Sequence, residues 1–226
     1  MSKISAVSLD PAFLALIAPG MAPRKPRRPV TRSGKRSRGN FPSLKATQVR
    51  YESQLELQAW RVLEAGGEVT RFGSHPASLR IDVGYESEGF RYTPDFFFVT
   101  PMRETIVGEV KPDSKFLKAD TRNRMRDVWR AFEREGTQFV ILLESDLQCA
   151  PCFPDELEIL LRDRPWRKNW IVCQDSPGHE RYDVDDASFD MVAWERAAGE
   201  CNALLARVMD RDFKATVDQA QAWVNV

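Results

Sequence analysis

Two stretches of strongly β-favouring residues carry charges where charges are expensive. The first is Arg91-Tyr92-Thr93-Pro94-Asp95-Phe96-Phe97-Phe98-Val99, and the second is Thr105-Ile106-Val107-Gly108-Glu109-Val110-Lys111-Pro112. Runs this apolar fit strands that are covered on both faces. An acid or an amine in such a place is costly to desolvate unless it is paired or binds a metal. The chain must therefore fold so that Asp95, Glu109 and Lys111 meet one another or a cation.

Successive strand residues point to opposite faces, so Glu109 and Lys111 share a face roughly 6.6 Å apart, with Val110 facing the other way. Pro94 removes a ladder donor and bends the chain just before Asp95. If the two runs pair, Asp95 reaches the side of the sheet that carries Glu109. Two carboxylates and the Val110 carbonyl then make a hard, oxygen-rich site suited to Mg²⁺ or Mn²⁺. Lys111 would hold or deprotonate an attacking water and offset charge on a phosphate. Upstream, Glu52 and Glu56 are one helical turn apart, and Glu56 continues the side carrying Ala59 and Leu63, so it is placed to point inward. The plain alternatives are ion pairs of Asp95 and Glu109 with Lys111, and a solvated edge position for Glu56.

Periodicity predicts a helix from about Tyr51, striped by Leu55, Ala59, Val62 and Leu63 and ended by Gly66-Gly67. Strands are expected over 68–72, 78–84, 90–99 and 105–111, then a helix over 117–135, then a central strand over 138–143. This order gives an α/β core, a mixed central sheet flanked by helices, over residues 46–146. Residues 1–45, rich in Pro, Arg, Ser and Gly, read as a basic, disordered arm. Residues 147–226 read as a smaller, mostly helical region with signals near 154–163, 187–209 and 213–224, available for a partner.

Charge sharpens this division. Lys and Arg total 33, as do Asp and Glu, yet residues 1–50 hold eleven bases against Asp10 alone. That end is +10 and the remainder −10, the pattern of a polyanion binder. Arg24, Lys25, Arg27, Arg28, Arg32, Lys35, Arg36 and Arg38 could lie along a phosphate backbone without aromatic readout. Lys118, Arg122 and Arg126 recur at i+4 on the long helix and are a second candidate DNA face, or else a solvated, salt-bridged one.

Other classes of function are set aside. No stretch approaches the ~18 uncharged apolar residues of a membrane span, and the short apolar segment before the arm does not read as a leader. A soluble, cytoplasmic protein is expected. The four cysteines suit a reducing compartment. Cys149 and Cys152 form a C-x₂-C, but Cys173 and His179 lack a familiar spacing as a second pair; buried or incidental thiols are the plain reading, and a zinc site would need all four to converge. No phosphate loop for ATP is present, and two histidines, His75 and His179, leave little for His-based chemistry.

Three motifs then fall in order: Tyr51-Glu52-Ser53-Gln54-Leu55-Glu56 with Leu63-Glu64, Tyr92-Thr93-Pro94-Asp95-Phe96, and Gly108-Glu109-Val110-Lys111-Pro112. Over about 46–148 the chain resembles TnsA, the endonuclease subunit of Tn7-like heteromeric transposases in the PD-(D/E)xK nuclease superfamily. The resemblance implies a restriction-endonuclease-like core in which Glu56, Asp95 and Glu109 hold the metals and Lys111 is the catalytic lysine. It implies cleavage of double-stranded DNA at the 5′ ends of the transposon, beside a DDE-type transposase subunit and an ATP-dependent regulator. The arm and the region after Cys149 match no motif of that family. The same acids also suit a stand-alone restriction-like or junction-resolving nuclease, and the fold alone would suit a catalytically silent DNA-binding adaptor.

Overall fold

The structure, a computed structural model, describes residues 38–46, 49–81, 89–148, 155–164 and 189–225. At its centre is a four-stranded mixed sheet of β3 (Arg71–Ser74), β6 (Phe96–Val99), β7 (Thr105–Lys111) and β8 (Gln138–Leu143), in that spatial order. The pairings of β3 with β6 and β6 with β7 are antiparallel, and that of β7 with β8 is parallel. A parallel pair needs a crossover, here supplied by α2 (Asp113–Phe116) and α3 (Ala119–Arg134). Two short ribbons flank the sheet: β1 (Gly39–Phe41) with β2 (Val49–Tyr51), and β4 (Leu79–Ile81) with β5 (Phe90–Tyr92).

The alternation of the strands divides the core in two. Phe96, Phe98, Ile106, Val110, Val140 and Leu142 point to one face, which α1 (Gln54–Ala65) and α6 (Met191–Asp210) cover with Trp60, Leu63, Leu204 and Leu205. Phe97, Val99, Val107, Phe139, Ile141 and Leu143 point to the other, under Val128 and Phe132 of α3 and the β4–β5 ribbon. Both faces are dry, which accounts for the near-continuous apolar runs. The remaining helices are α4 (Glu144–Gln148), α5 (Asp155–Asp163) and α7 (Phe213–Val224). The helices expected near 154–163, 187–209 and 213–224 correspond to α5, α6 and α7, and all three contribute residues to the core clusters.

Several boundaries differ from the sequence reading: the strand expected over 68–72 is β3 at Arg71–Ser74, and the helix expected over 117–135 starts at Ala119, after the separate α2. Three more differ for a local reason. Helix α1 starts at Gln54 because Ser53 caps it, its hydroxyl accepting from the Glu56 amide at 3.2 Å, while Tyr51 still belongs to β2. The strand expected over 90–99 is two strands, since Thr93-Pro94-Asp95 breaks the ladder and Asp95 precedes β6 instead of closing it. Of the arm expected to be disordered to residue 45, residues 1–37 lie outside the described ones, and residues 38–45 are structured, with β1 paired to β2. Lys45 in it is buried, its ammonium donating to the Leu63 and Gly66 carbonyls (3.2 and 2.5 Å) at the end of α1. Gly136 ends α3 at φ +66°, a left-handed position that glycine adopts without strain. Among the described residues no helix is long and apolar enough to cross a membrane.

Candidate active site

Because β6 and β7 are antiparallel, the start of one lies beside the end of the other. The register pairs Phe96 with Gly108, which brings Asp95 alongside Glu109. A Cβ on Gly108 would sit 2.2 Å from the Phe96 ring, so glycine at this point lets the ring pack flat over β7. The Asp95 amide donates to the Gly108 carbonyl at 3.1 Å, and the Val110 amide donates to Asp95 Oδ2 at 2.9 Å. A strand residue's N–H and C=O project to the same edge, so the Val110 carbonyl also lies on the Asp95 side of β7.

Asp95, Glu109 and Lys111 share the face that carries Phe97 and Val107. Lys111 Nζ donates to Glu109 Oε1 and stands 3.9 Å from Asp95 Oδ2. The other Glu109 oxygen, Oε2, accepts from the buried Tyr92 hydroxyl at 2.5 Å. Glu109 is 5 % exposed, so its two oxygens are held from opposite sides inside the protein. The cluster sets two carboxylates against one amine. Burial, and then the neighbouring Glu109, push the Asp95 carboxyl well above the ordinary carboxylate range, against the opposing pull of Lys111 and the Val110 amide. Burial pulls the Lys111 ammonium down, but Glu109 and Asp95 outweigh it and the net shift is upward. Tyr92 is raised well above its usual value by burial and by Glu109.

Glu56 sits differently. It is buried, but its oxygens serve the start of its own helix: Oε2 accepts from the Glu52 amide at 2.8 Å and Oε1 from the Ser53 hydroxyl at 2.9 Å. This is a relative of the capping box, and it replaces the solvated edge position as the plain reading of Glu56. The carboxylate remains close enough to raise both Asp95 and Lys111 electrostatically. Among the described residues no group of three or more Asp, Glu, His or Cys side chains stands close enough together to hold a metal ion. Of the four expected donors, the structure thus brings Asp95 and Glu109 together, leaves the Val110 carbonyl beside them, and holds Glu56 apart on its cap.

Two further residues belong to the site. Tyr92 was visible only as part of a motif. His75 reads as a turn residue in the sequence, yet it adopts φ +47°, donates its amide to the Asp95 carbonyl at 2.8 Å, and sets Nε2 4.0 Å from Glu56 Oε2. A non-glycine residue in the left-handed region is uncommon and marks a position held by its surroundings.

The expected DNA contacts divide. Arg24, Lys25, Arg27, Arg28, Arg32, Lys35 and Arg36 lie outside the described residues, as do Cys149, Cys152, Cys173 and His179. Arg38 stands next to β1. On α3, Lys118 and Arg126 are exposed and Arg122 is half-buried, with Arg126 donating to Asn123 Oδ1 at 2.8 Å. An i+4 series drifts by roughly 40° per step around a helix, so these residues do not form one straight ridge. Comparison with protein-family models and with curated proteins finds no match to this chain.

Proposed function

We propose that the protein is a Mg²⁺- or Mn²⁺-dependent DNA endonuclease with a restriction-endonuclease-like core, acting as the TnsA-type subunit of a Tn7-like transposase. One observation carries this reading: Asp95 and Glu109 lie side by side at adjoining strand ends, with Lys111 between them and negative charge in excess. Such an excess inside a protein is unfavourable unless a cation relieves it, and the oxygen donors suit a hard divalent ion. Asp95 and Glu109 would hold the metal, with the Val110 carbonyl as a third oxygen. Glu56 would act on it through water or through its field, since its own oxygens are engaged. The bound ion would supply Lewis-acid activation of water and charge neutralisation at the phosphate.

The residues of the chain divide the remaining work. Lys111, held beside Glu109 and near Asp95, is placed to orient and neutralise a phosphate oxygen or to hold the attacking water. Tyr92 locks Glu109 in one rotamer, and the Val110 amide locks Asp95. The transposase and regulator partners, and the choice of transposon 5′ ends, follow from the resemblance in the three motifs. A silent adaptor is the second reading, favoured by the internal hydrogen bonds that already engage each acid.

Incubating the full chain with supercoiled plasmid and Mn²⁺, with and without a transposase partner, separates the two. Metal-dependent nicking that is lost in Asp95→Ala supports the nuclease. Equal behaviour of the two proteins under every condition supports the adaptor.

A further inference from the structure

The β4–β5 ribbon brings together three guanidinium groups that the sequence scatters. Arg80 and Arg91 are register partners across the two strands, and both are exposed, while Leu79, Ile81 and Tyr92 face the core. Arg124 joins from α3, about 200° around the helix from Arg122. Its guanidinium lies 4.6 Å over the Phe90 ring and donates to the Arg91 carbonyl at 2.8 Å. A cavity of about 330 Å³, lined in part by Arg80, Phe90 and Arg91, opens beside them. The next residue inward from Arg91 is Tyr92, whose hydroxyl holds Glu109.

We infer that Arg91 and Arg124, with Arg80 beside them, form a phosphate-gripping face for nucleic acid on the outer side of the ribbon whose inner side holds Glu109. Arginine presents donors in a fixed fork that fits phosphate oxygens. Arg124 is already fixed by the ring below it and the carbonyl beside it, so little freedom is lost on binding. Alternation along β5 turns Arg91 outward and Tyr92 inward, so the arginines and the carboxylate pair lie on opposite faces of one ribbon, linked through Tyr92. This surface is distinct from the basic arm and from the Lys118, Arg122 and Arg126 series. Its choice of nucleic acid as partner rests on the nuclease reading.

The test uses the full chain carrying Asp95→Ala, so that DNA is bound without being cut. Affinity for a short labelled duplex is measured over a series of KCl concentrations. Each lost phosphate contact lowers the slope of log K against log salt by about 0.9. Arg91→Gln with Arg124→Gln is expected to lower it by about 2 units, while Arg207→Gln on the far face of the sheet leaves it unchanged. If the double variant melts below its parent, Arg91→Gln alone serves, with a drop of about 1 unit expected.

An unchanged slope in a normally folded variant overturns the inference, as does failure of the parent chain to bind duplex at low salt. Plasmid nicking by the unsubstituted chain reads the nuclease proposal separately. Nicking with an unchanged slope sinks the arginine face alone, and a lowered slope without nicking sinks the nuclease alone.

Discussion

The adjoining ends of β7 and β8 carry two buried charge clusters built on opposite plans. After β8, Asp146 accepts from both terminal nitrogens of Arg211 (2.9 and 2.8 Å), from Gln219 at 2.6 Å and from the Leu143 amide at 2.9 Å. One carboxylate there meets a bidentate cation and two further donors, and the Arg211 fork also reaches the Ile141 carbonyl at 2.8 Å. At the end of β7, two carboxylates share a single amine, and Asp95 is driven toward its neutral form. Matched charges hold parts of the fold together, here the C-terminal helices against the sheet. Where two carboxylates share one amine, the surplus is met by a raised Asp95 carboxyl, and on the metal reading proposed above a bound cation would take the place of that proton.

Breaking the matched cluster should have the largest effect. Arg211→Ala leaves Asp146 buried without its cation, and loss of about 3–5 kcal/mol of unfolding free energy is expected. Urea titration of the variant against the parent measures it, and a loss below about 1 kcal/mol would show that Asp146 is hydrated after all.

A third cluster errs in the other direction. Glu64, fully buried, faces both Arg164 and the neighbouring Lys45. Burial lowers the Lys45 ammonium to about 8, with Glu64 opposing the shift. A lowered lysine means the folded state gives up its proton before the unfolded state does, so stability rises between pH 8 and about 10.5. The rise attributable to Lys45 is at most about 3 kcal/mol, and Lys45→Met should remove it from an unfolding series across that window.

The mismatched cluster should behave in the opposite way to the matched one. Asp95→Asn keeps an acceptor for the Val110 amide and removes the repulsion from Glu109. In EDTA at neutral pH it is expected to stabilise the fold by about 0.5–2 kcal/mol while abolishing metal-dependent nicking. The raised Asp95 carboxyl contributes stability that is complete below its unfolded value of about 3.9 and is lost as pH rises through its folded value. The two proteins should therefore have similar stability in acid and diverge as pH rises. A gap that closes toward neutral pH would contradict the excess-charge account.

The smallest effect belongs to the cap. Ser53→Ala removes the hydroxyl that Glu56 and its amide both use, and about 1 kcal/mol should be lost. If Glu56 serves only its helix, the Mn²⁺ concentration needed for nicking stays where it was. A shift in that midpoint would bring Glu56 back into the metal shell.

Much of the site was legible before folding, because its signals are local. Period-two alternation alone put Glu109 and Lys111 on one face and Val110 on the other. The apolar runs over 105–111 and 138–143 coincide with β7 and β8. Tyr92 escaped notice because nothing in its own stretch announces a partner 17 residues on. Arg124 escaped because the i+4 series passed through Arg122 and Arg126, while tertiary packing selected the flank facing the ribbon. Glu56 was correctly turned inward, but the Ser53 hydroxyl and the Glu52 amide competed for it and won.

Residue order by itself determined that Glu109 and Lys111 would share one face of a strand too apolar to leave them solvated, with Asp95 at the edge of another, since alternation and desolvation act within a few residues. Which cations those acids would meet was decided only when distant segments packed. The antiparallel register of β6 and β7 placed Asp95 beside Glu109, and the C-terminal helices gave Arg211 to Asp146. Electrostatic balance depends on distances across the fold, and these are set by the packing of both sheet faces together.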